Sequence, residues 1–333
     1  DLDRLSDVAA GVWADIQGTD FNERAVALVD EIQERRPDVV GIQELAQFVV
    51  LDLNFGTGSF EMAGIIDFKT ILDAELQARG LPYYFAATQE NTTVQIPVAG
   101  MDSPRGFIPT RLVRLTIRDG VLIRDGLKVD GISKGNYAAK VPLGAGPDGS
   151  PIELKRGWIR VDAEYRGVPH HFISTHMEIQ GFSSIQLLQA RELLDQVAAD
   201  LDGVTVLLGD FNSDATASRG DPSWTPTHKM ITNAGFGDAW ERAKWGRQAI
   251  GFTCCQAPDL RNPESILKER IDFIFVRTLG LGSPMKQYPG LMDLDVIGDE
   301  PQDRTTPNQL WPSDHAGLVA AFYGSPNWFK KLK

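Results

Sequence analysis

Apolar residues along the chain recur with two periods, one typical of helices and one typical of strands. Over residues 25–32 they stand three and four positions apart, which predicts one face of a helix, and similar spacing predicts helices beginning near Asp67 and spanning residues 183–202. Between them, β-branched runs and runs that alternate apolar with polar residues predict strands. These strands cover residues 39–42, 83–87, 158–165, 171–175, 204–208, 271–275 and 316–322. Helices among a larger number of strands, many of which alternate, predict an α/β sandwich.

The segments between these elements predict two loops and a hairpin. Residues 52–66 contain glycines and predict an irregular loop at the rim, whereas residues 88–110, polar and interrupted by proline, predict a long loop that lines a substrate groove. Residues 115–132 predict a β-hairpin whose turn is Asp125-Gly126. Because no internal repeat or linker-like change of composition interrupts the sequence, we expect residues 1–333 to form a single domain.

Polar side chains follow directly after one of the predicted buried strands. The run Val206-Leu207-Leu208-Gly209 leads into Asp210-Phe211-Asn212-Ser213-Asp214. Asp210 and Asn212 are two positions apart, so in an extended chain they share a face, and a carboxylate beside an amide suits a hard cation or a phosphate. Asp214 is expected to be only a turn residue, and an Asx-rich turn without further role is the alternative for the whole segment.

The same arrangement of an apolar strand next to a polar side chain recurs along the chain. Five sites share it, namely Glu44, His176, Asp210 with Asn212, Asp272, and Asp314 with His315. Each alone has a structural alternative: Asp272 could pair with a surface arginine, and His176 could be a histidine satisfied at a rim. Taken together, they predict a common site built from strand ends.

Charge and cysteine content limit the classes of protein. With 33 basic and 45 acidic residues the net charge is −12, which disfavours a protein that coats nucleic acid but permits an enzyme that reaches phosphate through a cation. No apolar run approaches the length of a membrane span. Cys254 and Cys255 are adjacent and predict free thiols or at most one bridge, not a disulfide scaffold. The sequence starts at Asp1 without Met, so secretion or a periplasmic location is one expectation for an otherwise open compartment.

Five segments together resemble the endonuclease/exonuclease/phosphatase superfamily, whose fold is DNase-I-like. They occur in the family's order between residues 37 and 322, and the stretch from Arg156 to Glu178 is similar to uncharacterised bacterial members. The segments are Gly41-Ile42-Gln43-Glu44, Ser174-Thr175-His176, Gly209-Asp210-Phe211-Asn212, Arg270-Ile271-Asp272-Phe273 and Ser313-Asp314-His315. The resemblance implies a four-layer fold, with two β-sheets packed face to face and helices on both outer faces.

The resemblance also implies a metal-dependent phosphodiesterase and a role for each matching residue. Glu44, Asp210 and Asp314 would hold Mg²⁺ or Mn²⁺, with Ca²⁺ as an alternative. His315 would be a general base or a phosphate donor oriented by Asp272. His176 would be a general acid or an oxyanion stabiliser. Asp210 and Asn212 would position water and phosphate, and phosphate would contact Asn212, His176 and Arg156.

One feature departs from the family's pattern. Members usually open with a strand whose asparagine contacts metal or phosphate, and residues 2–13 contain no asparagine. Either that strand is missing from this sequence, or Ala9 or a neighbour takes its place. The departure leaves a degenerate member that binds a phosphate ligand or a partner without turnover as an alternative.

The substrate implied by the resemblance is a phosphodiester, either nucleic acid or a phospholipid head group, acted on by a monomer. Inositol-polyphosphate phosphatases are disfavoured, because Lys268-Glu269-Arg270 replaces their signature before Asp272. Secreted DNases and bacterial sphingomyelinases both carry a histidine at the position of His176 and can be acidic. We expect a nuclease, with a sphingomyelinase or phospholipase C-like enzyme as the alternative. The aromatic-basic segment Trp328-Phe329-Lys330-Lys331 is the nearest sequence feature to a membrane-active hairpin, and is expected to be only a tail.

Overall fold

A computed structural model describes residues 2–101, 107–145, 149, 151–243, 250–280 and 291–322, so residues 328–331 lie outside its described part. The helices are α1 (Leu2–Gly18), α2 (Phe21–Arg35), α3 (Phe68–Ala78), α4 (Ser183–Glu192, continued by a π-helical turn over Leu193–Val197), α5 (Thr227–Asn233) and α6 (Ala239–Ala243). The strands are β1 (Val39–Ile42), β2 (Gln47–Asn54), β3 (Ser59–Asp67), β4 (Tyr83–Met101), β5 (Ile108–Arg124), β6 (Lys128–Asn136), β7 (Val141–Ala145), β8 (Pro151–Leu154), β9 (Gly157–Tyr165), β10 (Val168–His176), β11 (Gly203–Asp210), β12 (Gly237–Asp238), β13 (Asp272–Leu279), β14 (Leu291–Ile297) and β15 (Gly317–Phe322).

Two mixed sheets carry most of these strands. The first has the order β1-β5-β2-β3, with β4 also paired to β5, and the second has the order β12-β13-β11-β10-β9-β6. Val121 and Ile123 of the first sheet pack against Ile159 and Val161 of the second, and all four side chains are buried. The apolar face between the sheets is therefore the centre of the molecule, as alternating strands require.

Helices cover the outer face of each sheet. Helices α2 and α3 pack on the first sheet around Val29, Leu72 and Leu122, and helices α4 and α5 pack on the second around Phe211 and Phe273. The order helix, sheet, sheet, helix confirms the predicted α/β fold with a two-sheet sandwich flanked by helices. The helix predicted over residues 183–202 ends early, since its π-helical turn stops at Val197.

Three predictions about the segments between the elements are wrong. Residues 88–101 continue β4, which pairs with β5 along its length, and Pro97 is tolerated there because it adjoins a shift in register. Residues 52–66 belong to β2 and β3, a hairpin whose exposed strands have no apolar alternation to reveal them. Residues 125–126 do form a turn, but β5 and β6 on either side of it join different sheets, because β6 pairs with β9.

The position of Ala9 on helix α1 tests whether this residue takes the place of the family's asparagine. Ala9 is buried on this helix, where it packs in a cluster with Trp13, Phe48 and Val98. A position inside that cluster cannot contact a ligand in the cleft described below, whose lining does not include Ala9. The expectation that Ala9 takes the place of the asparagine is therefore wrong.

Two strand edges face one cleft. Within the described residues β1 is paired only with β5, and β15 is paired only with β14. Both strands line a cleft of about 1090 Å³, whose floor includes Val206 and Leu208 of β11. The same cleft holds the charged side chains described next.

Candidate active site

Three neighbouring strands of the second sheet bring polar side chains to the same edge. Strand β10 runs parallel to β11, and β13 runs antiparallel to β11, so the end of the first two lies beside the start of the third. In this register His176 is the partner of Asp210, and Asp210 is the partner of Asp272. Residues separated by up to 96 positions in the sequence are thus adjacent in the site.

Two glycines allow the first sheet to approach this edge. A Cβ atom on Gly41 would lie 2.6 Å from Ser174 Oγ, and one on Gly209 would lie 3.1 Å from Gln43 Nε2 as well as 2.0 Å from the Thr175 carbonyl oxygen of its own sheet. Gly209 also has φ of 132°, a conformation that L side chains rarely adopt. These glycines let β1 lie close against β10 and β11, so that Glu44 reaches the site from the opposite sheet.

Glu44 and Asn212 each have a left-handed backbone although neither is a glycine. Their φ values are 55° and 49°, and each stands two positions after the last residue of a strand. Such conformations are costly for residues with a Cβ atom and occur where surrounding structure enforces them. Their presence at two of the predicted site residues marks these strand ends as unlike ordinary turns.

His315 and Asp272 form a hydrogen-bonded pair at the mouth of the cleft. Nδ1 of His315 lies 2.9 Å from Oδ2 of Asp272. Partial burial would lower the pKa of His315, but the carboxylates of Asp272, Asp210 and Asp314 raise this pKa well above its ordinary value. Because Asp272 engages Nδ1, Nε2 is the ring nitrogen left to face the cleft.

Asp210 and Asn212 form a compact, buried unit. The backbone N–H of Asn212 donates to Oδ1 of Asp210 over 2.7 Å, and its side-chain amide donates to Oδ2 of Asp210 and to the Met177 carbonyl oxygen. Burial and the nearby Asp272 carboxylate raise the pKa of Asp210 well above its ordinary value. The amide oxygen of Asn212 is thereby oriented by two donated hydrogen bonds.

His176 is buried between an arginine and two carboxylates. Nη1 of Arg156 lies 3.0 Å from Nδ1 and 2.9 Å from Nε2 of the ring, Asp210 lies 3.5 Å from Nε2, and Asp119 lies 3.9 Å from Nδ1. Burial and the positive charges of Arg156 and His315 lower the pKa of His176 well below its ordinary value. A neutral ring that accepts one hydrogen bond from Arg156 keeps its other nitrogen as a donor.

The sequence prediction missed two buried acids behind His176. Asp119 accepts hydrogen bonds from the side-chain amide of Asn91 and from the backbone N–H of Glu44, and burial raises the pKa of Asp119 to about 7. Glu178 is fully buried, and one of its oxygens accepts from Nη2 of Arg156 over 3.4 Å. Glu178 was visible two positions after His176, whereas Asp119 lies inside a long strand and gave no signal.

Glu44 and Asp314 make up the solvent-accessible side of the site. Both side chains are exposed, and in the described part of the chain the Glu44 carboxylate has no hydrogen-bond partner. Confinement in the cleft and the charge of Asp314 raise the pKa of Glu44. Arg24 interacts electrostatically with Asp314, and burial lowers the pKa of Arg24 to about 10.

The donor set fits a hard divalent cation. Glu44, Asp210 and Asp314 offer carboxylate oxygens along one cleft. The Glu44 carboxylate has no partner among the described residues, and confinement and the charge of Asp314 raise its pKa, so it suits neutralisation by a cation. Among the described residues, ligand atoms of Asp210, Asp272 and His315 lie within 4.8 Å of one another. The predicted ligands therefore share the cleft, and the tightest cluster lies on the side of Asp210.

All the predicted site residues line this one cleft. They are Glu44, Arg156, His176, Asp210, Asn212, Asp272, Asp314 and His315. Asp214 lies outside it and accepts hydrogen bonds from Thr216 and from the backbone N–H of Arg270, which is the turn role predicted for it. In the described residues no helix has the length and apolar character needed to cross a bilayer.

Comparison with known proteins agrees with this geometry. The model of the endonuclease/exonuclease/phosphatase family matches residues 12–315 of the chain, whereas no curated protein matches it. A family protein from Leptotrichia buccalis is similar in structure, with a TM-score of 0.54 and 17% identity over 91% of this chain and 93% of that one.

Two structures of a D. rerio protein, TDP2, are similar to about the same degree. The humanised form has a TM-score of 0.54 and 17% identity, with coverage of 92% of this chain and 95% of that one. The form complexed with a single-strand DNA product has a TM-score of 0.52 and 16% identity, covering 91% and 92% of the respective chains. At this identity the likeness is one of fold.

Proposed function

The chain belongs to the endonuclease/exonuclease/phosphatase family, and we propose that it hydrolyses phosphodiester bonds with a divalent cation. The observation that carries the proposal is the pairing of His315 with Asp272 beside the buried Asp210 and across the cleft from a neutral His176. A proton acceptor, a proton-bearing donor and carboxylates at one edge are the groups that in-line hydrolysis of a phosphate ester requires.

His315 would take the proton of the attacking water. Its Nδ1–H bond to Asp272 keeps the ring oriented and stabilises the imidazolium that forms, so Asp272 acts as a positioning residue. A base must start neutral, and the neighbouring carboxylates raise the pKa of His315. The rate should therefore rise with pH through this pKa, whereas a rate that falls with pH would identify His315 as a protonated phosphate donor instead.

His176 would stabilise negative charge on a phosphoryl oxygen. Because its pKa is lowered, we propose the hydrogen-bond donor role for it over the general-acid role. Arg156 holds one ring nitrogen, Asp119 lies near the ring as a positioning residue, and the oriented amide of Asn212 would bind the phosphate alongside.

Glu44, Asp314 and Asp210 would hold the cation. When bound, Mg²⁺ or Mn²⁺ would neutralise the phosphate charge and stabilise the leaving oxygen. The exposed Glu44 and Asp314 would complete a set whose buried member is Asp210. The cation would also offset the repulsion between the carboxylates of Glu44 and Asp314, which are close together in a chain that already carries a net charge of −12.

We propose nucleic acid as the substrate. The support is the family and the shared fold with a protein whose structure contains a single-strand DNA product. The acidic chain would then reach the backbone through the bound cation and Arg156 rather than through a basic surface.

One observation favours a second candidate, hydrolysis of a phospholipid head group. The β2–β3 hairpin begins close after Glu44 and exposes apolar side chains, with Phe55 and Met62 each 70% exposed and Ile65 55% exposed. Exposed apolar side chains on a projecting hairpin would favour contact with a lipid surface.

A substrate panel tests both candidates. Plasmid DNA, RNA and sphingomyelin vesicles are incubated with the protein and Mg²⁺ or Mn²⁺, with and without EDTA. We expect metal-dependent cleavage of nucleic acid, whereas cleavage confined to sphingomyelin, and lost in Phe55→Ser, would replace the nuclease by the second candidate. Binding of DNA without cleavage under any condition would favour the degenerate, non-catalytic member.

A further inference from the structure

The adjacent cysteines lie against the proposed base. Cys254 forms isolated backbone bridges to both Glu269 and His315, and ligand atoms of Cys254, Cys255 and His315 all lie within 4.8 Å of one another. Cys254 is buried, while Cys255 and His315 are partly exposed. In the structure the two sulfur atoms are bonded to each other, which is the bridged one of the two states predicted for the pair.

We propose that, once reduced, Cys254, Cys255 and His315 form a binding site for a soft divalent metal such as Zn²⁺. Two thiolates and one imidazole are typical zinc donors, whereas Glu44, Asp210 and Asp314 offer only oxygen, which suits Mg²⁺ or Mn²⁺. In a tetrahedral site with Zn–S bonds of about 2.3 Å, the donor atoms stand about 3.5–3.8 Å apart. The donor atoms lie within 4.8 Å of one another, and breaking the S–S bond would let the two sulfurs separate towards that spacing.

Backbone hydrogen bonds hold the cysteine segment in place. The backbone N–H groups of Thr253 and Cys254 donate to the Glu269 carbonyl oxygen over 2.8 and 3.0 Å, and the N–H of Ala316 donates to the Thr253 carbonyl oxygen over 2.8 Å. The segment is therefore tied on one side to the residue before Arg270 and on the other to the residue after His315. A site whose backbone is already ordered loses less entropy when a metal binds.

The hydrogen bond of His315 already favours metal binding. Its Nδ1 is held 2.9 Å from Asp272, which leaves Nε2 as the ligand, and a carboxylate behind a histidine ligand is the usual arrangement at zinc sites. Three protein ligands would leave a fourth position for water. A metal bound there would occupy the nitrogen that the proposed hydrolysis needs, so it would inhibit the enzyme.

Oxidation state would control this site. A phosphine reductant breaks the S–S bond by donating two electrons, the two sulfurs take up two protons, and the phosphine leaves as its oxide with oxygen from water. On binding metal the two thiols release their protons to solvent. The bridged form offers no thiolate, so it should not bind.

The test of binding does not depend on hydrolysis. The reduced chain is titrated with Co²⁺, whose thiolate complexes absorb by charge transfer, and Zn²⁺ is then added. We expect one Co²⁺ per chain with a thiolate band that Zn²⁺ abolishes, and no band in the bridged wild-type chain. Cys254→Ser and Cys255→Ser should each lose the band, and His315→Gln should weaken Co²⁺ binding by about 10-fold or more.

The matched control is His171→Gln. His171 also pairs with an aspartate, Asp162 at 2.6 Å, but lies outside the cleft, so its loss should leave the band unchanged. A reduced chain with two titratable thiols and no band would overturn the proposal, and so would a band unaltered in His315→Gln. The bridged wild-type chain provides a comparison that does not depend on the folding of a variant.

The inhibitory consequence rests on the proposed function and has its own experiment. Zn²⁺ should inhibit Mg²⁺-dependent hydrolysis by the reduced wild-type chain at concentrations about 10-fold or more below those needed for Cys254→Ser/Cys255→Ser. Equal sensitivity of both chains would contradict the inhibition. If the reduced chain showed the cobalt–thiolate band but hydrolysed no substrate, the proposed function would be wrong and the proposed metal site would still be supported.

Discussion

The charged residues of the cleft fall into two groups that are held in different ways. The buried half, defined as Asp119, Arg156, His176, Glu178 and Asp210, has almost no exposed side chain and is linked by hydrogen bonds and ion pairs. The open half, defined as Glu44 and Asp314, is exposed, and the Glu44 carboxylate has no hydrogen-bonding partner within the described residues. The open half follows β1 and precedes β15, the two strands whose second edges face the cleft.

This difference separates two physical roles. Removing one member of a buried charged network leaves another charge uncompensated, so the buried half should be needed for folding as well as for chemistry. Two exposed carboxylates that repel each other contribute little to folding and should matter chiefly when a cation is present. The substitutions below test that division, from the largest expected effect to the smallest.

His315 lies between the two halves, and its loss should have the largest effect on rate. His315→Ala removes the proposed base and should lower kcat by about 10²–10⁴-fold, the contribution usual for a proton-transfer group. Steady-state hydrolysis measures the rate. The control is His171→Ala, which removes a histidine that pairs with Asp162 outside the cleft and should therefore retain activity. Similar rates for the two variants would refute the assignment.

Arg156 tests the buried half. Arg156→Met leaves Glu178 buried without its partner and should lower the free energy of unfolding by about 3–5 kcal/mol, measured by urea denaturation in EDTA. The matched substitution Arg111→Met breaks the exposed pair with Asp52 and should cost less than about 1 kcal/mol. The double variant Arg156→Met/Glu178→Met should recover much of the lost free energy of unfolding. If Arg156→Met and Arg111→Met lowered the free energy of unfolding equally, the distinction between the buried half and the open half would be wrong.

Glu44 tests the open half. Glu44→Gln should weaken the apparent affinity for Mg²⁺ by about 10–100-fold, because it removes a proposed ligand. In EDTA its free energy of unfolding should be unchanged or slightly higher, since the repulsion from Asp314 is relieved. The dependence of kcat/KM on Mg²⁺ concentration measures the first effect. A loss of stability as large as that of Arg156→Met would show that Glu44 belongs with the buried half.

The raised pKa of Asp119 should make the free energy of unfolding depend on pH. Burial raises its pKa from 3.8 to about 7, so the protonated form is favoured in the folded state. Its contribution to stability should be complete below about pH 4 and be lost as the pH rises towards 7, a change of up to a few kcal/mol. The difference in unfolding free energy between the wild type and Asp119→Asn, followed from pH 4 to 7, isolates it. If the difference in unfolding free energy between the wild type and Asp119→Asn did not change from pH 4 to 7, the proposed contribution of Asp119 would be wrong.

The parts of the site that could be predicted from sequence are those at strand ends. Glu44, Asp210 and His315 each stand where an apolar run meets a polar residue, and that contrast is visible in one dimension. Asp119 could not be found in this way, because it lies inside β5 and the run Arg118-Asp119-Gly120 has the composition of a turn. Its burial depends on Asn91 and His176, which only the paired sheets bring near.

The fold was predictable to a similar degree. Strands with one face in the core, such as β9, showed their alternation, and strands buried on both faces, such as β11, showed an apolar run. The sandwich followed from them. The β2–β3 hairpin and the second half of β4 were missed because exposed strands are stabilised by pairing and not by an apolar face. Strands β5 and β6 flank a tight turn but join different sheets. The residues near the turn do not determine which sheet each strand joins, so this could not be predicted from them.

The most direct test of the central claim is hydrolysis of bis-p-nitrophenyl phosphate by the wild-type chain, because this diester reports on the chemistry without any requirement for recognition of a polymer. The account predicts release of p-nitrophenol that requires Mg²⁺ or Mn²⁺ and stops when EDTA is added. Release that is equal with and without EDTA, or no release at any metal concentration in a folded chain, would contradict it.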